Sequence, residues 1–216
     1  MRAPAAIRLS ILAIITVLLS SVRAIAQDPP PRIGPYVIDV RGSFPGLPED
    51  PALADSRGMA VAEVPGRGPG LEIGAHVYPL RWKAMTLGVG AQLFLIRSSS
   101  DAVPELGYRG AKAALTSFSP QISFNFGTGN GWSYITGGIG PSTWSLVPDG
   151  SAPLAIDDTR LQTVNYGGGA RWFAKRHVAF TVDLRFYDIA AGVAEAGYPA
   201  HPLTRFLVIG AGIAFK

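Results

Sequence analysis

From residue 34 to residue 216 the chain alternates apolar and polar residues in eight segments, and the connectors between them are alternately long and short. No other feature restricts the fold as much. Period two sends successive side chains to opposite faces of a strand. Alternating connector lengths fit antiparallel strands with tight turns at one end of a sheet and long loops at the other. An even strand number brings both chain ends to the turn side.

The segments begin at about 34–43, 70–80 and 85–96. The fourth lies between a loop over about 97–114 and a glycine-rich turn at 127–131, and the rest follow at about 132–146, 159–173, 178–187 and 204–216. The long loops cover about 44–68, 97–114, 147–158 and 189–203. Facing is clearest in the fourth, where Phe118, Ile122, Phe124 and Phe126 oppose Ser117, Ser119, Gln121, Ser123 and Asn125. In the seventh, Val178, Phe180, Val182, Leu184 and Phe186 oppose Thr181, Asp183, Arg185 and Tyr187. The fifth segment is ambiguous, and Pro141 is expected to bend or end it.

The N-terminus reads as a separate element. Arg2 and Arg8 precede an apolar run from Leu9 to Val22, followed by Arg23, the small-x-small triplet Ala24-Ile25-Ala26, and Pro29-Pro30-Pro31. This is the pattern of a cleavable signal peptide over 1–26, with a short Pro-rich segment over 27–33 before a barrel domain over 34–216. The apolar run is shorter than the ~18–20 residues of a spanning helix; an uncleaved anchor is the alternative. The chain carries 19 Lys and Arg against 15 Asp and Glu, a net of +4. Three of those cations are Arg2, Arg8 and Arg23, so the exported part carries only +1. No basic run remains, and nucleic acid is not an expected partner. With no cysteine, disulfides, thiolate metal sites and a lipidated cysteine are excluded.

Strands of about ten residues with polar faces rich in Gly, Ser and Asn suit a narrow barrel closed in a membrane. In hydrocarbon every backbone donor and acceptor needs a protein partner, so the eighth strand must pair with the first. Tyr36, Tyr78, Trp82, Trp132, Trp172 and Phe215 fall near strand ends, where an interfacial girdle would sit. The expected fold is all-β: a closed eight-stranded antiparallel up-and-down transmembrane barrel. A soluble periplasmic barrel with its apolar face turned inward, like a lipocalin, is the rival.

The strand pattern, the signal ending at Ala26 and the closing segment from Arg205 to Lys216 resemble the eight-stranded outer-membrane barrel proteins of the OmpA/OmpX type. The resemblance implies an outer-membrane location. It also implies that outer-membrane lipid, lipopolysaccharide and the assembly machinery are partners. Phe215 matches the aromatic of the last strand that this machinery recognises, although Lys216 follows it where the family usually ends. No peptidoglycan-binding domain is expected after the barrel.

The polar faces carry Asp39, Arg41, Glu72, Arg171, Asp183 and Arg185, with His76 and Gln92 nearby in facing. Charges in a narrow lumen must pair or be hydrated, so a structural ion-pair network is expected. A gated solute path or polar ligand site is the alternative, and eight strands leave too little room for a general porin. Catalysis is not expected. The histidines are His76, His177 and His201, and His177-Val178-Ala179 lacks the serine of the His-x-Ser pair of barrel lipid A deacylases. Gly137-Gly138-Ile139-Gly140 and Gly167-Gly168-Gly169 lack the Lys-Ser/Thr of a phosphate loop. No cofactor or metal is expected. The acidic pairs Asp157-Asp158 and Glu49-Asp50 read as solvated loop residues, with cation bridging as the alternative. The long loop over 44–68 reads as solvent-exposed, or as a surface for an extracellular partner.

Overall fold

The alternating segments become strands. The computed structural model describes residues 31–193 and 200–216. The signal peptide expected over 1–26, and residues 27–30 of the Pro-rich segment, lie outside the described residues.

The strands are β1 (Tyr36–Ser43), β2 (Gly70–Trp82), β3 (Met85–Ser100), β4 (Ala111–Thr128), β5 (Gly131–Pro148), β6 (Leu161–Phe173), β7 (Val178–Ile189) and β8 (Thr204–Phe215). They form one closed antiparallel barrel in sequence order. β1 closes on β8 from Ile38 opposite Phe215 to Ser43 opposite Gly210, so no edge is left to solvate. The turns after β2, β4 and β6 lie at the terminal end. The connections over 44–69, 101–110 and 149–160, and the described ends of the last one at 190–193 and 200–203, lie at the loop end.

Three strand details depart from the expected boundaries. β3 and β4 run on to Ser100 and back from Ala111, which shortens the loop expected over 97–114. β3, β4 and β5 have 16, 18 and 18 residues, more than the ~9–11 needed to cross a bilayer, so this wall continues beyond the apolar belt. Pro141 does not end β5, which runs on to Pro148. The β4–β5 ladder lapses between Gln121↔Gly138 and Ser117↔Ser142 and resumes in the same register. Pro120 and Pro141, which have no N–H to donate, lie in this gap. In β2 the register shifts between Val77 and Leu80, where Pro79 interrupts the donors.

Facing follows period two. Phe118, Ile122, Ile135, Phe180 and Ile209 are each roughly half exposed on the outer wall. The corresponding inward residues Ser119, Gln121, Thr181 and Asp183 are buried. β5 resolves with Trp132, Tyr134 and Thr136 inward and Ile135 and Ile139 outward. The expected girdle is therefore incomplete. Tyr36, Trp82, Trp172 and Phe215 face outward, but Trp132 is 3 % exposed and packs edge-on against Tyr78 inside the barrel.

The inward faces build three layers. Val37, Trp132, Tyr134, Ala179 and Ala214 form a small apolar floor at the terminal end. Charged and amide side chains fill the middle. Above them Phe94, Ile96, Leu115, Trp144, Leu146, Tyr187 and Phe206 form an apolar upper chamber.

Candidate functional site

The middle layer gathers the six charged residues singled out in the sequence. β1 and β6 place Asp39 and Arg171 across the lumen, and the guanidinium grips the carboxylate with two hydrogen bonds of 2.8 and 2.6 Å. Arg41 bridges this pair to the next, 3.7 Å from Asp39 and 3.2 Å from Glu72. On β7, Arg185 and Asp183 are neighbours on one face and meet at 3.1 Å. All six side chains are almost fully buried.

Neutral groups join these pairs. Tyr134 donates to Asp183 at 2.7 Å. Gln92 donates to Glu72 at 2.8 Å and to the Tyr187 hydroxyl at 3.2 Å. Arg185 also donates to the side-chain oxygens of Gln121 and Asn165, at 2.9 and 2.8 Å. The Arg171 guanidinium lies 4.0 Å from the Tyr134 ring centroid, a cation–π contact on its remaining face. Tyr134, Gln121 and Asn165 were not singled out as site residues from sequence. For Gln121 and Asn165 the signal was position, since each sits on the polar period of its strand as the charged residues do. Tyr134 lies on β5, where both faces carry bulky residues and alternation gives no signal. His76 is buried in the same region, and its ring has no hydrogen-bond partner among the described residues.

The upper chamber is sealed by the first loop, which is not the solvent-exposed segment expected over 44–68. Its helix α1 (Pro51–Ser56) starts at Asp50, whose carboxylate accepts from the backbone N–H of Ala52 and Leu53 at 2.7 and 3.3 Å, with proline at the first position. This is ordinary N-cap chemistry. Leu47, Leu53, Ala54, Met59 and Val64 then enter the same apolar core as Phe94, Trp144 and Phe206. Arg57 donates to Asp157 at 2.7 Å, and both side chains are about 1 % exposed. Glu63 accepts from the backbone N–H groups of Arg109 and Ala60, both at 2.6 Å. Those donors hold its carboxyl below the usual carboxylate range. The acidic pairs are thus used differently from the expectation of simple solvation. Asp50 caps a helix, and Asp157 is a buried latch that also accepts from the Leu154 N–H at 2.9 Å.

His201 also departs from a free loop residue. It is buried 5.0 Å from the Trp144 ring, and burial pushes its imidazole below its usual pKa. His177 lies exposed at the opposite end, next to the Lys216 carbonyl. Phe215 faces outward at the β1–β8–β7 seam. Lys216 turns back over the terminal end, donating to the Gly129 carbonyl with its ammonium 3.8 Å from the Phe173 ring centroid. Among the described residues no cluster of three His, Cys, Asp or Glu side chains could hold a metal ion.

The outer wall and lumen have the reverse polarity of a soluble lipocalin-like barrel: Asp183 and Arg185 are inside, and the phenylalanines of β4 and β7 are outside. An apolar belt around a closed sheet has no stable place in water. The architecture is that of an eight-stranded outer-membrane barrel.

One known structure agrees at the level of fold. The crystal structure of Neisserial surface protein A is similar, with a TM-score of 0.54, 13 % identity, and coverage of 85 % of this chain and 97 % of that one. The N-terminal β-barrel domain of Pseudomonas aeruginosa OprF also aligns, at a TM-score of 0.43 and 13 % identity over 84 % of this chain and 98 % of that one. No family model and no curated protein sequence matches this chain.

Proposed function

We propose that this chain is a closed, non-conducting barrel of the outer membrane, with a structural or surface-interaction role. The observation that carries the reading is the double seal. A buried network from Asp39 to Arg185 fills the lumen, and the first loop packs Leu53, Ala54 and Met59 into the mouth above it. A solute would have to break two or more buried ion pairs and unseat an apolar lid. Breaking a single buried pair already costs several kcal/mol.

The six charged residues are structural in this reading: they satisfy one another and fix the barrel's cross-section. Phe215, outward on the last strand, is the aromatic offered to the assembly machinery. Lipid and lipopolysaccharide surround the wall, and the short segments over 101–110 and 149–160 form the surface open to an extracellular partner. Among the described residues, neither the lumen nor the mouth offers an activated nucleophile beside a general base, and no reaction is assigned.

The deciding experiment inserts the purified chain into planar lipid bilayers and records current. A bilayer that stays silent, from protein that migrates in the heat-modifiable manner of folded barrels, supports the reading. Steady single-channel steps would replace it with a narrow channel.

A further inference from the structure

We propose that the outer wall carries a binding site for the phosphorylated headgroup of a membrane lipid, in the groove where β3, β4 and β5 rise above the apolar belt. The inference rests on the outer-membrane placement proposed above and deepens it by naming what that wall holds.

The groove encloses about 610 Å³ and is lined by Phe44, Pro69 and Val147 together with Arg67, Arg97 and Lys112. Its position follows from the register. Leu93 lies opposite Phe118 on the outer wall, four residues below the pairing of Arg97 with Ala114 and six below that of Ser99 with Lys112. At about 3.4 Å per residue and a tilt near 40°, the Arg97 row stands roughly 10 Å above the Phe118 row. That is the step from acyl chain to headgroup.

The chemistry fits the position. Phe44 is 64 % exposed beside the groove, an apolar surface suited to the glycerol end of a lipid and poorly suited to water. Arg67 and Arg97 are exposed and make no ion pair among the described residues. Lys112 has one partner, Asp149, at 3.7 Å. Two unpaired guanidiniums on one apolar groove match a phosphate, which guanidinium forks bind in two-point fashion.

The backbone that carries the two guanidiniums is also held in place. Arg97 is on β3, and its backbone N–H donates to the Pro69 carbonyl at 3.1 Å. The Arg67 carbonyl accepts from the Ser98 hydroxyl, and Arg67 bridges to Gly46. The groove is thus part of the barrel's framework rather than a free loop.

The test uses the full exported chain in an uncharged maltoside detergent, with native mass spectrometry counting retained lipid. Dimyristoyl phosphatidic acid, dimyristoyl phosphatidylcholine and inorganic phosphate are titrated separately. Wild type is expected to retain phosphatidic acid at a concentration about tenfold lower than R67Q/R97Q/K112Q requires, with phosphatidylcholine and inorganic phosphate retained poorly by both. Equal retention by wild type and the triple variant would overturn the site. So would inorganic phosphate bound as tightly as the lipid, or an equal loss from R32Q/K175Q/R176Q at the opposite end. Heat-modifiable migration checks beforehand that each variant is folded. A chain that stays dissolved without detergent overturns the outer-membrane reading as well, and is recognised before any lipid is added.

Discussion

Arg171 and Asp39 lie 132 residues apart in sequence, yet face each other across the lumen with two hydrogen bonds of 2.6 and 2.8 Å. The pair ties β6 to β1, next to the seam where the barrel closes. Removing only the cation leaves Asp39 buried with Arg41 at 3.7 Å as its remaining ion-pair partner. Arg171→Met is therefore expected to lose about 3–5 kcal/mol, read as a lower urea midpoint of tryptophan fluorescence in lipid micelles. Pairing it with Asp39→Leu should recover much of the loss, because no charge is then stranded. A single variant as stable as wild type would show that the pair does not hold the seam.

The belt makes a depth-dependent prediction. Ile122 sits midway up the outer wall, opposite Val89 and Gly137, while Thr116 sits near its upper edge, opposite Leu95 and Thr143. Ile122→Arg is expected to destabilise the inserted barrel by about 2–4 kcal/mol and Thr116→Arg by about 0–1 kcal/mol. Reversible unfolding in vesicles measures both. Equal, small effects would mean that water rather than lipid covers this wall.

The sequence pattern reached the strand count, the closure and the facing of β4 and β7, because across the belt one face of each is greasy, as at Phe118 to Phe126 and Val178 to Phe186, and the other is mostly small or polar. It could not read β5, since both faces of that strand are rich in bulky residues. Trp132 and Tyr134 build the floor and Trp144 the upper chamber, while Ile135 and Ile139 meet lipid. Period two separates apolar from polar, and it fails where the lumen itself uses aromatics. The first loop misleads for a related reason. Its prolines and charges look solvated, but Leu53, Ala54, Met59 and Val64 are interleaved among them, and the partner of Arg57 lies 100 residues away at Asp157. Such a long-range pair leaves no local trace. The six lumen charges were legible as a set, whereas their pairing depends on strand stagger, which alternation does not encode.

The Arg57–Asp157 latch should control the lid without opening the pore. Arg57→Gln strands the Asp157 carboxylate, and the first loop is expected to be cut by proteinase K about tenfold faster or more, since local opening sets cleavage when reclosing is fast. Conductance should stay silent, because the layer from Asp39 to Arg185 still fills the lumen below. Channel steps in this variant would identify the loop as the sole seal.

Acid should loosen the lid through two groups that act in the same direction. Glu63 is held below the usual carboxylate range by the Arg109 and Ala60 N–H groups. Its contribution is present above its unfolded value near 4.5 and is lost as pH falls through the lower folded value. His201 is lowered by burial, so the folded chain prefers neutral imidazole. Its contribution is present above the unfolded value of 6.5 and is likewise lost as pH falls through the depressed folded value. Around it Arg57 lowers the imidazole further, while Asp157, Asp50 and the hydrogen bond with the Pro202 carbonyl oppose burial. The lid is therefore expected to be fully protected near pH 7, to loosen as pH falls below 6.5 and to loosen further below 4.5, while the strands remain paired. Hydrogen exchange at residues 50–64 over that range reads the opening directly. Glu63→Gln should flatten the lower part of the profile and His201→Phe the upper part, and a profile unchanged in both variants would remove these groups as its cause.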